Sequence, residues 1–200
     1  MCRFMCLKNT LQTYGVIAKI FHWLMAVLII VLLAVGLIMA DMENSPDKFK
    51  LIAIHKEVGI VVLFLASLRL SWKILDVSPL LPDSLGKMAK LGAKLGHFGL
   101  YVLMFAMPIT GWLMSSAAGF PVSMFGFFVM PNLIAPDKEF SHDMNELHEI
   151  LAWILMGLIA LHIIAALLHH FYYRDNTLIR MLPNFRGKNN DKNSSVNNSN

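Results

Sequence analysis

The segment from Glu146 to His170 carries four histidines in a run that is otherwise apolar enough to cross a membrane. Two of them, His148 and His162, are 14 positions apart. At about 100° per residue this interval falls about 40° short of four helical turns, so both imidazoles lie on one face, roughly 21 Å apart along the axis. Ionisable side chains inside a bilayer are costly and are therefore functional candidates. The segment predicts a helix that supplies one imidazole at each of two membrane depths.

Four apolar runs of this kind are present, and each is long enough to span, since about 20 residues cover a hydrocarbon core of about 30 Å. The chain is 56% hydrophobic and 15% charged, with a mean hydropathy of +0.58, which excludes an ordinary soluble domain. Backbone polar groups need internal partners in lipid, so the runs are predicted to be helices. The predicted fold class is all-α, an integral membrane four-helix bundle surrounded by lipid. The predicted spans are Ile20 to Ala40, Ile52 to Trp72, Gly96 to Ala117 and Leu147 to Phe171.

The basic residues predict the orientation, because short loops rich in Lys and Arg stay in the cytoplasm. They are concentrated before the first span, in the second connection and after the fourth span, whereas acidic residues offset or outnumber them in the first and third connections. Both termini are therefore predicted to be cytoplasmic. The pI near 9.1 is explained by topology and anionic lipid, so no nucleic acid is expected as a partner.

This orientation assigns each histidine a depth. His22 lies near the cytoplasmic start of the first helix, and His55 near the outer end of the second. On the fourth helix His148 lies at the outer level and His162 at the inner level. The sequence therefore predicts an outer pair, His55 with His148, and an inner pair, His22 with His162.

Two such pairs make a four-ligand arrangement. Four-helix bundles hold cofactor ligands on facing helices, and two neutral imidazoles on opposite sides of a flat macrocycle are the ligands of a low-spin b-type haem. The sequence contains no Cys-x-x-Cys-His motif, so any haem is expected to be bound non-covalently.

Several stretches resemble the bacterial four-helix cytochrome b561 family, which is related to the cytochrome b subunits of nickel-iron hydrogenases and formate dehydrogenases. They are "IFHW", "IHKEVGI", "LGHFGLYVLMFAMPITGWLM", "LHEILAWILMGLIALHIIAALLHH" and "RDNTLIRMLP". The resemblance covers about Tyr14 to Pro183. It divides the chain into a cytoplasmic leader (residues 1–13), a four-helix transmembrane cytochrome b domain (14–183) and a polar tail predicted to be disordered (184–200).

The resemblance implies a quinone-linked oxidoreductase of the bacterial inner membrane, with two non-covalent b haems as cofactors. Four positions match the family's axial ligands: His22, His55, His148 and His162. Ubiquinone or menaquinone is implied as an exchangeable substrate, and a periplasmic donor such as superoxide as the source of electrons.

Quinone reduction takes up protons, and histidine is the side chain that changes charge near neutral pH. His169, His170 and His97 are all predicted at the cytoplasmic level and are candidates for the quinone or proton site. His97 matches a histidine that the family often has without using it as an axial ligand. A histidine at a helix end can equally be an interfacial polar residue or a cation at the helix dipole, so that alternative stays open.

Two other functions remain open at this point. The chain could be the membrane anchor of a larger dehydrogenase or hydrogenase, receiving electrons from a partner subunit with an iron-sulfur cluster. It could also be a haem-free metal or proton transporter whose histidines line a water-filled path. The segments lack the paired short or broken helices that often mark transporter sites.

Overall fold

The computed structural model describes residues 7–80 and 86–182. Four long helices, α1 (Val16–Asp41), α2 (Pro46–Leu75), α3 (Lys87–Ala117) and α4 (Lys138–Phe171), are long and apolar enough to cross a membrane. A short helix, α5 (Thr177–Met181), follows α4. The predicted integral membrane four-helix bundle is confirmed.

Polar caps make the helices longer than the apolar runs from which the spans were predicted. The Ser45 hydroxyl accepts a hydrogen bond from the Lys48 amide at 3.2 Å, and Pro46 occupies the first turn of α2. The Asp137 carboxylate likewise accepts from the Phe140 amide at 3.1 Å. Such caps satisfy amides of the first turn, so α2 and α4 begin well before their apolar segments.

Consecutive helices pack against each other: α1 on α2, α2 on α3, and α3 on α4. Met25, Val62, Ala66 and Met104 form the buried core that joins the first three. Direct contact of α4 with α1 or α2 is at most marginal in the described part of the chain. The non-adjacent helices are therefore separated by a gap that side chains have to cross.

A small antiparallel hairpin, which the sequence did not predict, lies in the connection between α3 and α4. Its strands, β1 (Ser123–Met124) and β2 (Phe128–Val129), pair Ser123 with Val129. Three residues connect the strands, and the Phe127 amide donates to the Met124 carbonyl at 3.0 Å. The two central residues of that turn, Phe125 and Gly126, both have positive φ, 51° and 78°, as a turn matched to the strand twist requires. We call this end of the bundle the hairpin face.

Hydrogen bonds tie the opposite end together, and we call it the leader face. The amide of Asn9 donates to Asp76 at 2.8 Å, and the indole of Trp23 donates to the carbonyl of Met181 at 2.9 Å. Arg180 donates to the carbonyl of Leu80 at 3.0 Å. The described start of the chain, the α2–α3 connection and α5 therefore share one face, as an even number of spans requires. The predicted tail (184–200) and residues 1–6 of the leader lie outside the described residues.

Candidate functional site

Two histidine pairs lie along the bundle, one toward each face. In the hairpin-side pair, the ring centres of His55 on α2 and His148 on α4 are 6.4 Å apart, with an interplanar angle of 74°. In the leader-side pair, His22 on α1 and His162 on α4 are 6.2 Å apart at 55°. All four rings are partly buried. The structure thus brings together the residues that the sequence paired by membrane depth.

The spacing within each pair fits a metal ion between the rings. With metal-to-imidazole bonds of about 2 Å and a ring nitrogen about 1.1 Å from its ring centre, two imidazoles on opposite sides of one ion have centres about 6.2 Å apart. Both pairs also join helices that are otherwise scarcely in contact, α2 with α4 and α1 with α4. The donor set and its spacing therefore fit a haem held by two imidazoles.

The hairpin-side pair is bounded by α3. The Thr110 hydroxyl donates to the carbonyl of Met107 at 2.9 Å and lies 2.9 Å from Nδ1 of His148. A Cβ added at Gly111 would stand 3.3 Å from Cε1 of His148, so glycine permits this close approach. Nδ1 of His55 is buried and has no hydrogen-bond partner within the described ranges.

A cation lies next to each pair. On the hairpin side Lys56 Nζ donates to the Ser115 hydroxyl at 3.0 Å and to the carbonyl of Phe120 at 3.2 Å. On the leader side Arg69 Nη2 is 3.2 Å from Nδ1 of His22. The Arg69 guanidinium also lies 5.5 Å from the centre of the Tyr101 ring, within cation–π range.

His97 lies beside the leader-side pair, with its ring centre 5.5 Å from that of His162. This separation is shorter than the spacing worked out above for imidazoles on opposite sides of a metal. His97 also borders a groove of about 430 Å³ between α2 and α3, together with Lys73, Lys94 and Tyr101. His97 therefore lies beside the leader-side pair and at the edge of this groove, and is not one of two facing imidazoles.

The last turn of α4 holds the two remaining candidates. Nδ1 of His169 and a carboxylate oxygen of Asp175 are 2.7 Å apart, and the Asp175 carboxylate also accepts the Thr177 amide at 2.8 Å. Burial raises the pKa of Asp175, but hydrogen bonds from Thr177 and His169 outweigh burial and hold that pKa below its usual value. His170 faces elsewhere: its ring centre is 4.9 Å from that of Phe171, and its Nδ1 is buried without a partner among the described residues.

Sequence reasoning missed three neighbours of these histidines: Arg69, Thr110 and Asp175. A signal was available for Arg69, because it lies within the apolar run predicted to span from Ile52 to Trp72, and an arginine there is a functional candidate. In the structure Arg69 lies on α2, which continues to Leu75. Thr110 and Asp175 carried no signal in the sequence. Their partners, His148 and His169, are 38 and 6 positions away, and neither separation follows a helical or strand repeat.

A four-helix membrane bundle with two pairs of facing imidazoles along its axis defines the class of multi-pass membrane cytochromes b. The family model described as "Prokaryotic cytochrome b561" matches residues 13–184. The chain belongs to this family and is a membrane electron-transfer cytochrome of the b type, which implies b-type haem.

Curated relatives agree with this assignment. The chain is 37% identical over 179 residues to cytochrome b561 homolog 2 of Escherichia coli (strain K12), covering 89% of this chain and 95% of that protein. It is 30% identical over 166 residues to the probable superoxide oxidase CybB of Yersinia pestis, covering 83% and 93%. A third relative, cytochrome b561 homolog 1 of the same E. coli strain, is 35% identical over 131 residues, covering 64% and 73%.

Proposed function

We propose that the protein transfers electrons across the bacterial inner membrane through two b-type haems and delivers them to quinone. His55 and His148 hold the haem toward the hairpin face, and His22 and His162 hold the haem toward the leader face. The observation that carries this proposal is the pair of ring separations, 6.4 and 6.2 Å, at two depths of one bundle.

Two facing imidazoles at each depth are the donor set of a haem, whereas a structural zinc ion takes four protein ligands. His55 with His148, and His22 with His162, would each hold a haem through two imidazoles, and the bound haem would supply one-electron transfer. The four histidines would bind and orient it.

Sidedness follows from charge. The leader face gathers Lys19, the basic end of α2 and Arg180, and basic residues are retained in the cytoplasm. We therefore assign the leader face and both termini to the cytoplasm, and the hairpin face to the periplasm.

Quinone reduction belongs at the leader face in this scheme. Forming one quinol takes two electrons and two protons. The Asp175 carboxylate can only accept, so a neutral His169 donates its Nδ1 proton to it and keeps a free lone pair on the opposite nitrogen. A ring held in this way can pass a proton to or from bound quinone. His170 and His97 remain the other candidates for the quinone or proton site.

The donor is proposed to be periplasmic, and superoxide is the candidate because one relative is named a probable superoxide oxidase. Each superoxide that becomes dioxygen releases one electron, so two superoxide ions supply one quinone. The alternative is a membrane anchor that receives electrons from a cluster-bearing subunit. A lone haem protein with quinone reactivity supports the first proposal, and co-purification with an iron-sulfur subunit supports the second.

The test is a reduced-minus-oxidised visible spectrum of the detergent-purified protein, with haem quantified per chain. We expect two low-spin b haems, with one lost from His55→Ala or His148→Ala and the other from His22→Ala or His162→Ala. His142→Ala is the matched control, since His142 lies on α4 but is exposed and next to Glu146, at 3.6 Å. A colourless protein from haem-replete cells would sink the haem proposal.

The quinone proposal is tested separately. His169→Ala, His170→Ala and His97→Ala should each retain both haems, and quinol formation should then be measured by stopped flow. Loss of turnover in at least one of them, with haem content intact, supports the site. Unchanged turnover in all three, singly and combined, contradicts it.

A further inference from the structure

A hydroxyl on α3 and the Met107 carbonyl to which it donates both face His148, and together they decide which nitrogen of the ring carries the proton. A threonine hydroxyl has one hydrogen and two lone pairs. The Thr110 hydroxyl donates its hydrogen to the carbonyl of Met107 at 2.9 Å, since a carbonyl can only accept. Nδ1 of His148, also 2.9 Å from this hydroxyl, must then be the donor in its own contact.

A neutral imidazole has one N–H, so a proton on Nδ1 leaves a lone pair on Nε2. His148 is therefore already in the form that binds a metal through Nε2. The ring also lies close to α3, because a Cβ added at Gly111 would stand 3.3 Å from its Cε1 atom. Thr110 itself is 7% exposed, so water does not compete strongly for its hydroxyl.

The other ligands have different neighbours. Nδ1 of His55 is buried with no hydrogen-bond partner in the described ranges. At His22 the relation is reversed, because the Arg69 guanidinium can only donate and Nδ1 has to accept. A neutral His22 so arranged carries its proton on Nε2 and must rearrange before it binds a metal there, whereas His148 need not.

We propose that Thr110 is a positioning residue for the hairpin-side haem, fixing the tautomer and the orientation of His148 through the hydroxyl chain from Nδ1 to the carbonyl of Met107. The inference rests on the proposed function, which makes His148 an axial ligand. Partners of this kind orient a ligating histidine and raise its basicity, and their loss typically costs about 10- to 100-fold in metal affinity.

The test compares Thr110→Val, which keeps the shape but removes the hydroxyl, with Thr110→Ser, which restores the hydroxyl. Ser67→Ala is the matched control, because the Ser67 hydroxyl makes a similar bond to its own helix, to the carbonyl of Leu63 at 2.9 Å, with exposed surroundings. Purified holoproteins are compared by haem content per chain, redox titration of each haem and the electron paramagnetic resonance signal of each ferric haem.

In Thr110→Val we expect hairpin-side haem to be retained about 10- to 100-fold less tightly. The midpoint potential of the remaining fraction should shift upward, because a less basic ligand stabilises ferric iron less, and its resonance signal should change. Leader-side haem should be unaffected, and Thr110→Ser should restore the wild-type signal and potential.

Two outcomes overturn the inference: a Thr110→Val protein that matches wild type in all three readouts, or equal loss of both haems in the Val and Ser variants, which indicates a packing role. Failure of the proposed function gives a different result from failure of this inference. In that case the wild-type protein lacks haem, or both haems are retained in His148→Ala and His55→Ala. Either result also overturns the inference, because His148 is then not a haem ligand.

Discussion

Replacing Arg69 by glutamine is expected to lower the midpoint potential of the leader-side haem selectively. The guanidinium lies 3.2 Å from Nδ1 of His22 and is charged at every accessible pH. A nearby cation favours the reduced form of a haem, which carries one positive charge fewer than the oxidised form. Glutamine retains hydrogen-bonding groups but removes the charge.

The size of the shift can be worked out from the distances. Once Nε2 of His22 binds iron, Nδ1 carries the proton and no longer accepts from Arg69, so the guanidinium turns away and its charge would lie about 10 Å from the iron. With an effective dielectric constant of about 20, one charge at this distance contributes about 1.7 kcal/mol. This is about 70 mV for a one-electron couple, at about 59 mV for each tenfold change in the equilibrium constant. The other haem is about 20 Å away by helical rise, so its shift should be no more than half as large.

The assay is a redox titration of the purified protein, with the two haems assigned from the ligand variants. Arg69→Lys is the control that retains the charge and should shift the potential far less than Arg69→Gln. Equal shifts of both haems, or a shift below about 20 mV at the leader-side haem, would refute the electrostatic role assigned to Arg69.

Three further changes test other contacts. Gly111→Ala places a Cβ 3.3 Å from the His148 ring and should reduce hairpin-side haem content while leaving the leader-side haem intact, measured as haem per chain. Asp175→Asn should lower the thermal midpoint at pH 7, and the difference from wild type should shrink as pH falls below about 4. The folded pKa of Asp175 lies below its unfolded value, so its contribution is present above about pH 4 and is lost as pH falls through the folded value. Trp23→Phe removes the 2.9 Å bond to the carbonyl of Met181 and should speed proteolysis near α5, assayed by limited digestion with haem content as the control.

Hydropathy was sufficient to predict the four spans, because an apolar run of this length in a bilayer has to form a helix, in which the backbone hydrogen bonds are satisfied internally. Hydropathy could not predict where the helices begin and end. Pro46 and Lys138 begin helices in polar sequence, where the Ser45 and Asp137 caps rather than lipid decide the boundary. The hairpin at Phe125 and Gly126 was missed because its strands are two residues each.

The four paired histidines were predictable because periodicity and charge bias assign each one a helix face and a membrane depth. Their immediate neighbours were not. Whether Nδ1 of His148 meets a hydroxyl, or Nδ1 of His22 a guanidinium, depends on the rotation of α3 and α2 about their own axes. That rotation follows from core packing around residues such as Met25 and Met104, and packing does not appear in a hydropathy pattern.

The helices between the paired histidines therefore control each site separately. His22 on α1 and His162 on α4 belong to helices that are scarcely in contact, and so do His55 on α2 and His148 on α4. The surroundings of each pair are therefore set by a neighbouring helix. It is α2 that brings Arg69 to His22, and α3 that brings Thr110 to His148. A substitution on α2 or α3 can then change one pair at a time, whereas a shift of α4, which supplies one imidazole to each pair, has to change both.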